Sequence, residues 1–254
     1  MKSASAADAA APRQQAGSRD LQVGGLTPFT SIDFPGQLSA VVFVQGCPWR
    51  CCYCHNPHLQ ARDRAGGPSW AEVLVFLRSR LGLLDAVVFS GGEPTLDAAL
   101  PQALADVRAL GFKVGLHTAG IYPQRLQAVL PQLDWVGLDI KAPLARQEQH
   151  DQVSGVPGSS HAVRRSLAAV AEHSRSSGMP FECRTTAHPA LLDDAALLEL
   201  GDELAAAGVV NWALQIYRAQ GSGAVLREVD VNYPSAQTWS GLRARLPFAA
   251  VRRA

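Results

Sequence analysis

The chain is expected to fold as an α/β protein around a parallel sheet, and three observations carry that expectation. Six short apolar runs recur along its 254 residues, amphipathic stretches separate them, and small polar loops join the two kinds of segment. Strands alternating with helices build parallel sheets with right-handed crossovers. Hydrophobic residues make up 47% and charged residues 18%, enough apolar material for one sizeable core. Periodicity alone leaves an open doubly wound sheet and an incomplete barrel both possible. Either places functional loops at the carboxyl ends of the strands.

The expected strands are Ser39–Val44, Ala86–Phe89, Lys113–Leu116, Trp135–Asp139, Phe181–Thr185 and Trp212–Ile216, each of strand length and most rich in Val, Ile or aromatic residues. Ser69-Trp70-Ala71-Glu72 reads as a capping box that opens a helix over Trp70 to Leu81. A second helix follows over Asp97 to Leu110, with Gly111 closing it and Pro101 arguing for a kink or a later start. Pro123 suits the first turn of a helix reaching Leu130. Further helices are expected near Ala162–Ser176, Asp193–Ala207 and Ala236–Arg245. Residues 1–20, rich in Ala, Ser and Gln, read as a disordered tail, 21–246 as one domain and 247–254 as a C-terminal tail.

A formal net charge of +1 offers no overall field for nucleic acid or an anionic membrane. No apolar run has the length of a membrane span, and the N-terminus lacks the apolar centre of a secretory signal. A cytoplasmic location is therefore expected, where thiols stay reduced and clustered cysteines point to metal rather than to disulfides.

Four of the five cysteines lie in the stretch Gln45-Gly46-Cys47-Pro48-Trp49-Arg50-Cys51-Cys52-Tyr53-Cys54-His55-Asn56-Pro57, which begins where the first expected strand ends. Cys47, Cys51 and Cys54 are spaced Cys-x3-Cys-x2-Cys. Three thiolates on one short loop can each bind one iron of a cubane and leave the fourth iron open to a ligand. A zinc site completed by His55 or His58 is the bland alternative, and with it a zinc-stabilised binding module rather than an enzyme. Cys52 and Cys183 read as small apolar residues.

The loop resembles that of the radical S-adenosylmethionine (SAM) superfamily, whose motif is Cys-x3-Cys-x-aromatic-Cys with Tyr53 here as the aromatic. The resemblance implies an incomplete (β/α)6 barrel, a [4Fe–4S] cluster on Cys47, Cys51 and Cys54, and SAM chelating the open iron. Reduction then cleaves SAM to a 5′-deoxyadenosyl radical. Tyr53, Cys54 and His55 would lie along the adenine. Gly91-Gly92-Glu93-Pro94 resembles the second motif of the superfamily, in which the backbone and the acidic group receive the methionine ammonium. His117 and Thr118 end the third strand where glycyl-radical activating enzymes commonly carry Asp-Thr-Asn-Gly, so a carried-over cation site is in doubt and His117 either meets SAM or substrate or caps the strand. Asp139 and Lys141, on one face of the fourth strand by period-two alternation, resemble the family's Asp-Leu-Lys and are expected in the SAM pocket. Arg184 needs a partner inside an apolar strand, and a SAM carboxylate would be one. Gln215 and Tyr217 receive no role.

Val23-Gly24-Gly25-Leu26, Thr30 to Gly36, Gln45-Gly46-Cys47 and Cys54-His55-Asn56-Pro57 together resemble the activating proteins of anaerobic (class III) ribonucleoside-triphosphate reductases. That resemblance implies a glycyl-radical reductase as partner and substrate, with flavodoxin or ferredoxin as electron donor. The alternative enzyme is a small-molecule radical SAM enzyme of the 7-carboxy-7-deazaguanine synthase kind.

Overall fold

The structure is a computed structural model, and it describes residues 20–62, 66–219 and 226–253. The expected tail over 1–20 therefore lies outside the described residues except for Asp20. One eight-stranded sheet runs in chain order: β1 (Val23–Thr30), β2 (Ser39–Val44), β3 (Ala86–Gly91), β4 (Lys113–Thr118), β5 (Trp135–Asp139), β6 (Phe181–Ala187), β7 (Trp212–Ile216) and β8 (Ala250–Arg252). β1 pairs antiparallel with β2, and every later pairing is parallel. The helices are α1 (Trp70–Arg78), α2 (Leu100–Ala109), α3 (Pro123–Val129), α4 (Gln147–Ser154), α5 (Ser159–Ser177), α6 (Asp194–Ala206) and α7 (Ala236–Arg245).

All six expected strands form, and the capping box at α1 is complete, with Ser69 N–H donating to Glu72 at 2.7 Å and Glu72 N–H to Ser69 Oγ at 3.2 Å. α2 begins at Leu100, with Pro101 in its first turn, because a proline N–H is not missed there. Residues 247–254 are not simply a tail: Ala250–Arg252 hydrogen-bond to β7 as a parallel strand.

Alternation sorts the strand side chains into two layers. Val42, Val44, Phe89, Leu116, Leu138 and Cys183 face the helices in the main core, whereas Val41, Phe43, Val88 and Trp135 pack with Phe34 on the other face. Phe34 stacks on Trp135 with centroids 5.5 Å apart and plugs that inner face. Cys183 is fully buried, and burial pushes its thiol well up, as a core residue's should be. Strands lie about 4.8 Å apart, so a flat sheet would hold β2 and β7 about 24 Å from each other. Phe43 of β2 and Gln215 of β7 nevertheless line one cavity, so strands β2 to β7 curl into a partial barrel left open between β2 and β7.

Candidate active site

The cavity, about 370 Å³, lies at the carboxyl ends of the parallel strands. The cysteine loop leaves β2 there. Gly46 N–H donates to Leu59 at 2.7 Å and Cys47 N–H to Gln60 at 3.1 Å, so the two ends of the loop are tied together. Cys47, Cys51 and Cys54 line the cavity, with Tyr53 and His55 beside them; Cys52 is exposed and outside its lining. Burial pushes the Cys47 thiol up to about 12, against the hydrogen bond from the Trp49 backbone. Burial raises Cys51 as well, and the Lys141 ammonium opposes it. Such thiols become thiolates when a metal compensates the lost solvation. Among the described residues, no three His, Cys, Asp or Glu side chains converge closely enough to hold a single metal ion, which is the arrangement a zinc site requires. A cubane holds each thiolate on a different iron, so the donor set fits a cluster better.

α4 clamps this loop from behind. Its last carbonyls, of Val153 and Ser154, accept from Cys52 N–H at 3.1 Å and Arg50 N–H at 2.9 Å. The Trp49 ring meets His150 edge-on at 5.8 Å, and Arg50 folds back to donate to the Cys47 carbonyl at 2.7 Å. Gly155 caps α4 at φ 71°, and a Cβ there would fall 2.7 Å from the Arg50 carbonyl oxygen. Gly155→Ala is therefore expected to cost about 1–2 kcal/mol for the left-handed backbone and to push the loop away. A lower urea midpoint together with less iron retained after reconstitution would show it; unchanged iron would mean that the loop holds its shape without α4.

Gly91 and Gly92 turn the chain across the top of β2. Gly91 has φ 116°, and a Cβ on Gly92 would sit 2.3 Å from the Gly46 carbonyl oxygen, so no side chain fits where the two loops touch. Both glycines line the cavity. Glu93 does not. Its carboxylate is completely buried and turned into the protein, where Oε1 accepts from Thr95 Oγ1 at 2.5 Å, Thr118 Oγ1 at 2.6 Å and Thr95 N–H at 3.1 Å, and Oε2 from Ala119 N–H at 2.9 Å. Four donors nearly exhaust a carboxylate, and through them Glu93 ties the β3 turn to the end of β4. Burial raises its carboxyl, against those four bonds.

Thr118 lines the cavity at the end of β4, its hydroxyl bound to Glu93. His117, also in the lining, places its Nε2 2.9 Å from the Asp33 carbonyl oxygen and 2.9 Å from Arg184 Nη1. Burial, followed by the Arg184 charge, holds its pKa down at about 4, so the ring is neutral near pH 7. Asp139 and Lys141 form an ion pair at 2.9 Å, with the Lys141 ammonium 5.5 Å from the centre of the Tyr53 ring. Burial, the largest single influence, would lower Lys141, but Asp139 together with Tyr53 and Cys51 holds the ammonium well above its usual range. Asp139 is in turn held below the usual carboxylate range: burial, the largest single influence, raises it, and Lys141, Arg184 and His117 together outweigh that.

His55 donates from Nε2 to the Arg218 carbonyl at 3.2 Å. Tyr217 is buried and packs with Tyr53 and Val153, supporting the aromatic of the cysteine loop from outside the cavity. Asp33, Ser90, Thr186 and Arg218 line the cavity but escaped the reading of the sequence. For Ser90 and Thr186, the parity of the strand, inner against outer, was the available signal. Asp33 and Arg218 lie in connections, where no periodicity exists to place them.

The model of the radical SAM superfamily matches residues 41–209. A protein named as a glycyl-radical enzyme activating enzyme of Methanocaldococcus jannaschii is 27% identical over 175 residues, covering 68% of this chain and 70% of its own. The pyruvate formate-lyase-activating enzyme of Streptococcus mutans is 30% identical over 228 residues, 84% of this chain and 82% of its own. In fold, a radical SAM methyltransferase from Sphaerobacter thermophilus aligns with a TM-score of 0.65 at 19% identity, over 86% of this chain and 67% of that one. Streptococcus suis SuiB aligns with a TM-score of 0.63 at 13% identity, over 83% of this chain, which spans about half (48%) of that protein. With a matched region that runs from β2 past α6 and includes the cysteine loop and the strand ends around the cavity, the chain belongs to the radical SAM superfamily, whose enzymes use a [4Fe–4S] cluster and S-adenosylmethionine.

Proposed function

We propose that this enzyme activates a glycyl-radical protein, and that the partner is an anaerobic ribonucleoside-triphosphate reductase. The observation that carries the first step is the gathering of Cys47, Cys51 and Cys54, without Cys52, around one cavity at the strand ends. Support for glycyl-radical activation comes from the names of relatives that match over most of their length. Support for the reductase comes from the segments Val23 to Leu26, Thr30 to Gly36 and Cys54 to Pro57, which resemble that group of activators.

In this reading Cys47, Cys51 and Cys54 hold the cluster. When bound, the cluster and SAM supply a one-electron reductive cleavage whose radical product takes a hydrogen atom from a glycine Cα. The chain's own part is to bind and orient. Lys141, kept charged by Asp139, lowers the cost of thiolate at Cys51. Gly91 and Gly92 bring bare backbone to the cavity, and Tyr53, His55, Thr118 and neutral His117 shape its walls. No helix among the described residues is long and apolar enough to cross a membrane. Flavodoxin or ferredoxin is the electron donor to the enzyme.

The test is anaerobic reconstitution with iron and sulfide, then electron paramagnetic resonance with and without SAM, and finally mixing with the reductase. A cluster signal that SAM perturbs, 5′-deoxyadenosine, and a new glycyl-radical doublet on the reductase are expected. Deoxyadenosine without any protein radical would sink the activating role and leave a small-molecule substrate.

A further inference from the structure

β8 carries a basic side chain to a buried carboxylate of β6, next to a residue that lines the cavity. Arg252 grips both oxygens of Glu182, Nη1 to Oε1 at 2.9 Å and Nη2 to Oε2 at 2.6 Å. Arg184, two residues along the same face of β6, donates from Nε to Glu182 Oε1 at 2.9 Å. Its Nη1 then lies 2.9 and 3.4 Å from the two ring nitrogens of His117, its Nη2 is 3.4 Å from the Asp33 carbonyl oxygen, and its Cζ sits 4.9 Å above the Trp135 ring. Glu182 and Arg184 are both buried, at 7% and 6% exposure.

One carboxylate between two guanidinium groups leaves a positive charge over. Asp139, which faces Arg184 across the β5–β6 pairing, is already held by Lys141 at 2.9 Å. A buried arginine is held in one orientation by what sits behind it, and a bidentate guanidinium–carboxylate pair is the stiffest such support. Of the five N–H groups of Arg184, one is spent on Glu182, one of Nη1 faces the His117 ring at 2.9 Å and one of Nη2 faces the Asp33 carbonyl at a long 3.4 Å, while the side chain lines the cavity and two N–H groups remain.

We propose that the C-terminal strand is part of the active site: Arg252 is a positioning residue that acts through Glu182 to fix Arg184 where it receives the carboxylate of the methionine moiety of SAM. This rests on the reading that the cavity binds SAM. Without Arg252, Glu182 has one partner instead of two and Arg184 loses its fixed orientation. The two residues behind Arg184 then act as one unit, so their losses do not add.

The full chain, reconstituted with its cluster, is compared with Arg252→Ala, Arg252→Lys, Glu182→Ala and the double variant by equilibrium dialysis against SAM and against 5′-methylthioadenosine, which lacks the amino-acid portion. Arg252→Ala is expected to weaken SAM about tenfold, a change of about 1.4 kcal/mol, with iron content and methylthioadenosine binding unchanged. Arg252→Lys recovers only part of the loss, because a point charge cannot make the bidentate pair. The double variant binds SAM no more weakly than Glu182→Ala alone. Unchanged SAM affinity, or equal losses for SAM and methylthioadenosine, would overturn the proposal. Wild-type protein that takes up a cluster but no SAM would instead overturn the reading beneath it.

Discussion

Alanine at Cys47, Cys51 or Cys54 is expected to abolish reductive cleavage of SAM, while alanine at Cys52 or Cys183 leaves it in place. The three residues are the thiols that line the cavity, and Cys52 is exposed outside it. A cubane with an open iron has no ligand to spare. Losing one of three cysteines should therefore cost more than about a thousandfold in rate, over ~4 kcal/mol of transition-state stabilisation. Cys183 is a core thiol on the helix-facing side of β6, so its replacement removes only a small buried group. Iron and sulfide per chain, the cluster signal, and 5′-deoxyadenosine after reduction are the three readouts. Activity surviving in Cys54→Ala but lost in Cys52→Ala would move the third ligand by two positions and reverse the assignment.

The strands that build the cavity were legible because buried parallel strands read as short, nearly continuous apolar runs, as Ala40 to Val44 and Ala86 to Phe89 do. Three elements gave no such signal. β1 reads Val-Gly-Gly-Leu-Thr-Pro-Phe-Thr, with two glycines and a proline that an edge strand tolerates and a central strand does not. α4, Gln-Glu-Gln-His-Asp-Gln-Val-Ser, lacks an apolar stripe, since what it offers the site is backbone carbonyls. β8 is three residues long and lies in a stretch that read as a tail, until pairing with β7 brought Arg252 to Glu182. The site divided in the same way. Cysteine spacing and the glycine pair exposed residues that line the cavity, but which way a carboxylate turns depends on donors far away in sequence. Glu93 shows this best: its partner Thr118 lies 25 residues further on.

That orientation gives the second large effect. Glu93→Ala is expected to destabilise the protein before any ligand is present. It strands two backbone N–H groups and leaves two threonine hydroxyls without their acceptor, around a fully buried carboxylate position. Each buried donor left unpaired costs about 1–3 kcal/mol, so a loss of about 3–5 kcal/mol is reasonable once hydroxyl rotation relieves part of it. Against the ~5–15 kcal/mol that holds most domains folded, that is a severe change. Glu93→Gln keeps the shape and one acceptor, but sets an amide donor where a carboxylate oxygen accepts three bonds or faces Ala119 N–H. It should cost less than alanine and still be plain in the urea midpoint of the cluster-free protein. A ligand-contacting carboxylate would behave in the opposite way, with the cluster-free stability untouched and SAM affinity lost. Urea titration of the cluster-free variants, followed by SAM binding to whichever variant still takes up iron, separates the two roles. Because Glu93 also lies near enough for its charge to bear on Cys47, any variant that folds should show its second effect at that thiol.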